Sequence, residues 1–303
     1  VEASSADDSG VTMLVAEQLN TDILVNVLSR LPAKTLLGLK CVCKGWKQLI
    51  SDRMFVQAQL KRTEPVSGFF YQERYLWCDR DVKLFCYKPL EGEIARPHHS
   101  VLAFLGEDVF ILGSSDGLIC CRSCIPSSHP SIFVSNPSIK EYVKLSWPEP
   151  NRNDNLALAF DPFHDLVAET TKFKVIRVGE AETEAGGVCF SFEVYSSGTG
   201  SWTKLKELCH CDRRLVRNRS IFIAGVLYWL TDGDEILTFN VENELAFLMG
   251  VPFPAAELSG VAEVCIGESN GRLHYAIVSE YGLQVWALED CYESKWELGF
   301  RCP

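Results

Sequence analysis

The sequence has no apolar run long enough to cross a bilayer. Its longest goes only from Ile221 to Leu230 and carries Gly225 inside it, against the roughly 20 apolar residues that a spanning helix needs. Positive charge is in deficit: 29 Lys and Arg against 40 Asp and Glu leave a net charge of −11, which excludes general attraction to nucleic acid or anionic membrane. The opening VEASSADDSG has neither a basic cluster nor an apolar stretch, so a secretory signal is not expected. Low-complexity tracts are missing too. With 47% hydrophobic and 23% charged residues the 303-residue chain is of globular composition, and wholesale disorder is excluded. The 13 cysteines are odd in number and irregular in spacing, so no disulfide framework is indicated. They read as reduced thiols acting as small apolar residues, which puts the expected location in the cytoplasm or nucleus.

What is present is unevenly placed. Residues 17–62 hold eight basic residues (Arg30, Lys34, Lys40, Lys44, Lys47, Arg53, Lys61 and Arg62) against Glu17, Asp22 and Asp52. The rest of the chain is acidic. The periodicity changes at the same place, so the chain reads as three parts: a disordered tail over 1–16, a helical domain over 17–62 and a larger acidic domain over 63–303.

In the helical part, Ile23, Leu24, Val27, Leu28 and Leu31 fall on one stripe of a 3.6-residue helix. Asn20 or Thr21 caps it and Pro32 stops it. Short helices follow over Lys34–Leu39, about Cys43–Ile50 and Met54–Leu60. A unit of this size cannot bury so much apolar surface alone. The stripe therefore needs a cover, either the rest of the chain or a separate, acidic partner.

The string LNTDILVNVLSRLPAKTLLGLKCVCKGWKQLISDRMF resembles an F-box, the three-helix segment that binds Skp-type adaptors in cullin-based ubiquitin ligases. The likeness is carried by Leu19, Asp22-Ile23-Leu24, Leu31-Pro32, Leu36-Leu37, Val42-Cys43-Lys44, Trp46, Leu49-Ile50 and Phe55. Asn20 and Arg53 stand where the family usually or often has Pro. The resemblance implies adaptor contact, or the core beneath it, through Leu19, Asn20, Ile23, Leu24, Leu31, Pro32, Leu36, Lys44 and Trp46.

Beyond Pro65 the period is 2. Residues 172–178, 192–196, 236–241, 272–278 and 283–288 are rich in aromatic and β-branched residues and read as strands. Turn signals at Asp116-Gly117, Gly186-Gly187, Ser196–Gly200, Thr231–Asp234 and Asn270-Gly271 separate them. A loose repeat runs through this region. Gly117, Gly225 and Gly271 each open a strand, a second strand follows (Ile132–Asn136, Ile236–Val241, Leu283–Leu288), and a third ends near Pro or Trp. At ~40–45 residues per four-stranded blade the domain holds five or six blades, six slightly preferred; a β-sandwich is the alternative. The same strings resemble the plant F-box-associated, kelch-related interaction domain. The expected fold is thus α+β and multidomain, a small three-helix F-box followed by an all-β propeller.

Catalytic signals are weak. Gly113-Ser114-Ser115-Asp116-Gly117 matches the G-x-S-x-G pattern, but a strand follows it where a nucleophile elbow needs a helix. Cys120, Cys121 and Cys124, even with Cys209-His210-Cys211, make a poor zinc set, because adjacent cysteines on a strand face opposite ways. No catalytic residue, metal or cofactor is expected. Arg213, Arg214, Arg217 and Arg219 cluster in what reads as a loop, and arginine forks suit an acidic or phosphorylated target. Glu180–Glu184 reads as an acidic loop. Taken with the resemblances, the expected function is the substrate-recognition subunit of a Skp–cullin–F-box ubiquitin ligase, joining the adaptor, and through it a cullin, to an unidentified target protein. The alternatives are a small-molecule sensor using the propeller channel, or a propeller enzyme.

Overall fold

A computed structural model describes residues 21–60, 68–72, 81, 85–90, 96–97, 102–151, 154–162, 172–184, 187–253 and 263–302. The expected tail, Leu19 and Asn20 lie outside them. The chain divides into two compact units, residues 1–69 with 87–95 and residues 70–86 with 96–303. No helix among the described residues is long and apolar enough to cross a membrane.

The first unit is helical. Helix α1 covers residues 21–28, followed by α2 (Ala33–Leu39), α3 (Lys44–Ser51) and α4 (Arg53–Leu60). Local chemistry sets the breaks. Pro32 is the N-cap of α2, the Cys43 thiol accepts from the Trp46 amide at the start of α3, and Asp52 caps α4 by accepting from the Met54 amide at 2.8 Å. Leu28, Leu36, Ile50 and Phe55 form the core, with Leu31 and Trp46 packed against it. The single stripe read on the first helix is split here. Leu28 turns inward, whereas Ile23 and Val27 stay 59% and 56% exposed, because a core built from four short helices needs only one edge of that stripe.

From Gly68 onward the described residues are almost entirely strand. The strands run β1 (Gly68–Gln72), β2 (Phe85–Pro89), β3 (Arg96–Pro97), β4 (Val109–Ser115), β5 (Leu118–Ser123), β6 (Ser131–Asn136), β7 (Glu141–Ser146), β8 (Asn155–Ala159), β9 (Lys174–Glu182), β10 (Val188–Ser196), β11 (Ser201–Cys211), β12 (Leu215–Ile223), β13 (Val226–Thr231), β14 (Glu235–Asn240), β15 (Leu245–Gly250), β16 (Glu263–Ser269), β17 (Arg272–Ser279), β18 (Gly282–Asp290) and β19 (Lys295–Cys302). They make four antiparallel four-stranded meanders, β4–β7, β8–β11, β12–β15 and β16–β19, and one three-stranded sheet, β1–β3. Five sheets are thus seen among the described residues, the lower of the two expected counts rather than the slightly preferred six. The reason is uneven chain use: the sheet from Asn155 to Cys211 has strands of up to 11 residues and a long β8–β9 connection.

The packing is radial. The first strand of each meander lies innermost, β12 against β8, β16 and β4, and β4 against β8. Consecutive sheets enclose separate cores. Leu112, Cys120 and Val134 meet Leu158 and Val175; Phe190 and Phe192 meet Trp229 and Phe239; Leu230 and Met249 meet Tyr275 and Ile277. The same joint recurs at the margins of the first and third of these cores, where Trp202 Nε1 donates to the Ser146 carbonyl of the preceding sheet at 3.0 Å and Trp296 Nε1 to the Gly250 carbonyl at 2.9 Å. This is the β-propeller architecture.

Candidate functional site

In the helical unit the expected contact residues separate into three groups. Ile23 and Val27 are exposed, joined by exposed Leu37, Val42 and Met54, with the basic side chains of Arg30, Lys34, Lys44 and Lys47 also exposed. Leu24 and Trp46 line a cavity of about 440 Å3 between α1 and α3, together with Thr21, Gly45, Leu49 and Asp52. Leu36 belongs to neither: at 2% exposure it is a core residue, in the second of the two places, surface or underlying core, that the resemblance implies for this set. Leu31 is half-buried against the same core and accepts a bond from Gln59 on its carbonyl. Pro32 and Lys44 are exposed at the helix starts.

In the propeller, the inner hairpins of three sheets point to one end. Asp116-Gly117, Ala224-Gly225 and Asn270-Gly271 all have positive φ at both residues, the two-residue turn that matches strand twist. Two cavities open there. One, of about 610 Å3, is lined by the ends of β4 and β12 and by the β16–β17 turn; its acidic residues are Asp116, Asp161 and Glu268. The other, of about 370 Å3, lies between the second and third meanders and is walled by Ala159, Phe173, Phe222 and Val241. Asp161, Phe222 and Ala224 line both. The Asp116 carboxyl is raised above its usual value, first by partial burial and then by the charges of Asp161 and Glu268. The Ser115 hydroxyl, within the G-x-S-x-G match, donates to the Phe160 carbonyl at 2.8 Å, and the segment forms the β4–β5 hairpin.

The segment with Arg213 and Arg219 is not one loop. Arg213 and Arg214 sit in the bend before β12, while Arg217 and Arg219 lie within β12 itself. The pairing of β12 with β13 is irregular between Leu215 and Ser220, so the innermost strand departs from simple alternation and resembles a loop in sequence. The Arg214 guanidinium bonds Glu182 and lies 3.9 Å from Glu180. These are the acids read as a loop, which instead belong to β9. Cys120 and Cys121 face opposite cores, and burial pushes the Cys120 thiol up to about 12. These are packing thiols. Among the described residues no three His, Cys, Asp or Glu side chains are grouped to hold a metal ion.

Comparison with known proteins decides the family. Residues 98–302 match the β-propeller of the F-box protein At3g26010-like family, and residues 17–57 match the F-box domain. The chain belongs to this family of F-box β-propeller proteins. Two Arabidopsis thaliana relatives agree. F-box protein At5g49610 is 27% identical over 91% of this chain and 74% of its own, and F-box protein At5g07610 is 27% identical over 92% and 69%. A putative F-box/kelch-repeat protein, At3g22730, is 24% identical over 84% of this chain and 67% of its own. This F-box protein is therefore of the plant kind. Its F-box implies binding to a Skp-type adaptor and to a substrate protein, in a family of adaptors that are as a rule not enzymes.

Proposed function

We propose that this F-box protein is the substrate receptor of a Skp–cullin–F-box ubiquitin ligase, acting in the cytoplasm or nucleus. Residues 17–62 form the adaptor module and residues 63–303 the recognition module. The observation that carries the reading is the exposed apolar face of Ile23 and Val27. It lies on a helical unit that already has its own core of Leu28, Leu36, Ile50 and Phe55, and it is accompanied by exposed lysines. An apolar surface ringed by positive charge suits an acidic, apolar-faced helical partner. Leu19, Asn20, Ile23, Leu24, Leu31, Pro32, Lys44 and Trp46 are the proposed contact set, with Leu36 supporting them from beneath.

The mechanism is proximity. In this reading the bond-making groups are those of the ligase core and not of this chain. The F-box fixes it to the ligase core, and the propeller holds a target so that its lysines meet carried ubiquitin at high effective concentration. Arg213, Arg214, Arg217 and Arg219 remain a proposed contact for an anionic target segment. The Glu180 and Glu182 carboxylates already offset part of that charge, and reversing Arg213 and Arg217 to Glu tests the contact by loss of target capture with adaptor binding kept. The second reading, a small-molecule sensor, is favoured by the 610 Å3 cavity among the inner strands; thermal stabilisation by a metabolite would support it.

The deciding experiment is co-expression with a plant Skp-type adaptor. A one-to-one complex that survives gel filtration and is lost in Ile23→Asp is expected. Failure of the wild-type chain to bind the adaptor would overturn the receptor reading.

A further inference from the structure

The two cavities at the hairpin end adjoin, with Asp161, Phe222 and Ala224 in the walls of both, and are taken together as one trough. Its two halves differ in chemistry. The outer half is walled by Ala159, Phe173, Phe222 and Val241, enough for one large apolar side chain. The inner half carries Asp116, Asp161 and Glu268, and among the described residues no Lys, Arg or His lines it. Lys172 and Lys174 also line the outer half, beside Glu242; Lys174 is engaged, its Nζ donating to the Val241 carbonyl at 2.9 Å and lying 3.7 Å from Glu244, so the uncompensated negative charge is that of the inner half. The three carboxylates share the inner half, where Asp116 is raised first by burial and then by the charges of Asp161 and Glu268. A cation would relieve that repulsion.

We infer that this trough docks a partner segment in which a large apolar side chain stands next to a lysine or arginine. The apolar residue fills the outer half and the cation reaches the carboxylates of the inner half. The inference rests on the receptor reading above and gives it a target class. Apolar walls alone would accept many occupants. Charge complementarity selects the cationic one and places it at a defined distance from the apolar anchor. Asp116 sits in the two-residue β4–β5 turn and Glu268, on β16, accepts from the Gly271 amide at 2.7 Å, so these two acids are positioned by the fold before any partner binds.

The test is panning a random peptide library displayed on phage against the full-length chain. Recovered peptides are expected to pair Phe, Leu or Met with Lys or Arg within a few positions. In synthetic copies, replacing either residue by Ala should weaken binding about tenfold, as should the double variant Asp116→Asn/Glu268→Gln. Asn is well tolerated at the positive φ of position 116, so the double variant is expected to fold and to melt no lower than the wild type. Binding should also fall with added salt.

Enrichment of acidic or uncharged peptides, no enrichment at all, or binding untouched by the double variant would overturn the inference. So would competition by small apolar metabolites without any effect of the acids. Adaptor co-purification is read separately. If the adaptor binds and cationic peptides do not, only the trough assignment falls. If cationic peptides bind and the adaptor does not, only the receptor reading falls.

Discussion

Arg122 grips Asp81 with both ends of its guanidinium. Nη1 lies 2.5 Å from Oδ2 and Nη2 lies 3.1 Å from Oδ1, with both side chains withdrawn from solvent. The surroundings complete the pair. Asp81 Oδ2 also accepts from the Ile125 amide at 2.8 Å, and the guanidinium sits 4.8 Å from the Phe110 ring centroid and 5.7 Å from that of Trp147. Arg122 is on β5, in the interior of a sheet, so Asp81 is tied to the propeller by charge.

Breaking one side of this pair leaves a buried, uncompensated charge, which costs about 3–5 kcal/mol. Arg122→Met and Asp81→Leu are each expected to lower stability by that amount in urea unfolding. The double variant should recover most of the loss, since an apolar pair of similar size avoids the desolvation penalty. Equal losses in the single and double variants would show that the pair is not the interaction being measured.

Leu36 and Ile23 should behave oppositely. Leu36→Ala opens a cavity in the helical core and is expected to cost about 2–4 kcal/mol in stability. Ile23→Asp changes an exposed side chain, so its effect on stability should be within about 0.5 kcal/mol while it removes adaptor binding. Thermal melts and co-purification, run on both variants, separate the two roles.

Asp116 gives the fold a pH dependence of known sign. Its folded pKa is raised above the usual 3.8, so the folded state prefers the neutral acid. The contribution is fully present below the unfolded value and is lost as pH rises through the raised one. At pH 7 Asp116→Asn should therefore be slightly more stable than the wild type, the gain being kept small by how open the group is to solvent. The difference attributable to ionisation should vanish below about pH 4. Chemical denaturation at both pH values checks this. A destabilised variant at pH 7 would contradict the like-charge crowding described above.

Thiol reactivity should follow burial. Cys41, Cys43, Cys265 and Cys302 are exposed, whereas Cys120, Cys121 and Cys124 are buried. Burial pushes Cys120 up to about 12, so at pH 8 it is almost wholly the unreactive thiol. Alkylation of the native chain followed by peptide mass spectrometry should label the exposed set first, and the buried set only in denaturant. Early labelling of Cys120 would mean that the first meander opens readily.

Much of the propeller is legible in advance because its repeat is local. The repeat that begins at Gly117, Gly225 and Gly271 corresponds to the second, third and fourth strands of three meanders. A further part of the signal is easy to pass over: Asn136, Asn240 and Asp290 each accept from backbone amides two or three residues on, so the third hairpins share one turn chemistry. The first strands are the ones that escape. β8 is buried along its whole length and so shows no alternation, and β12 is irregular and carries the arginines that read as a loop. An innermost strand is enclosed on all sides by other sheets, which erases the period-2 contrast that marks a strand with one wet face.

By itself the sequence determined the division of charge, the switch from a period of 3.6 to one of 2, the helix caps and the turn chemistry, because each of these acts between residues a few positions apart. Tertiary structure alone decided which residues of the first helix face solvent and which partner Arg122 takes. It alone gathered Asp116, Asp161 and Glu268 around one cavity. Those outcomes depend on the radial packing of strands far apart in the chain, and no local pattern encodes which distant loops will share an end of the propeller.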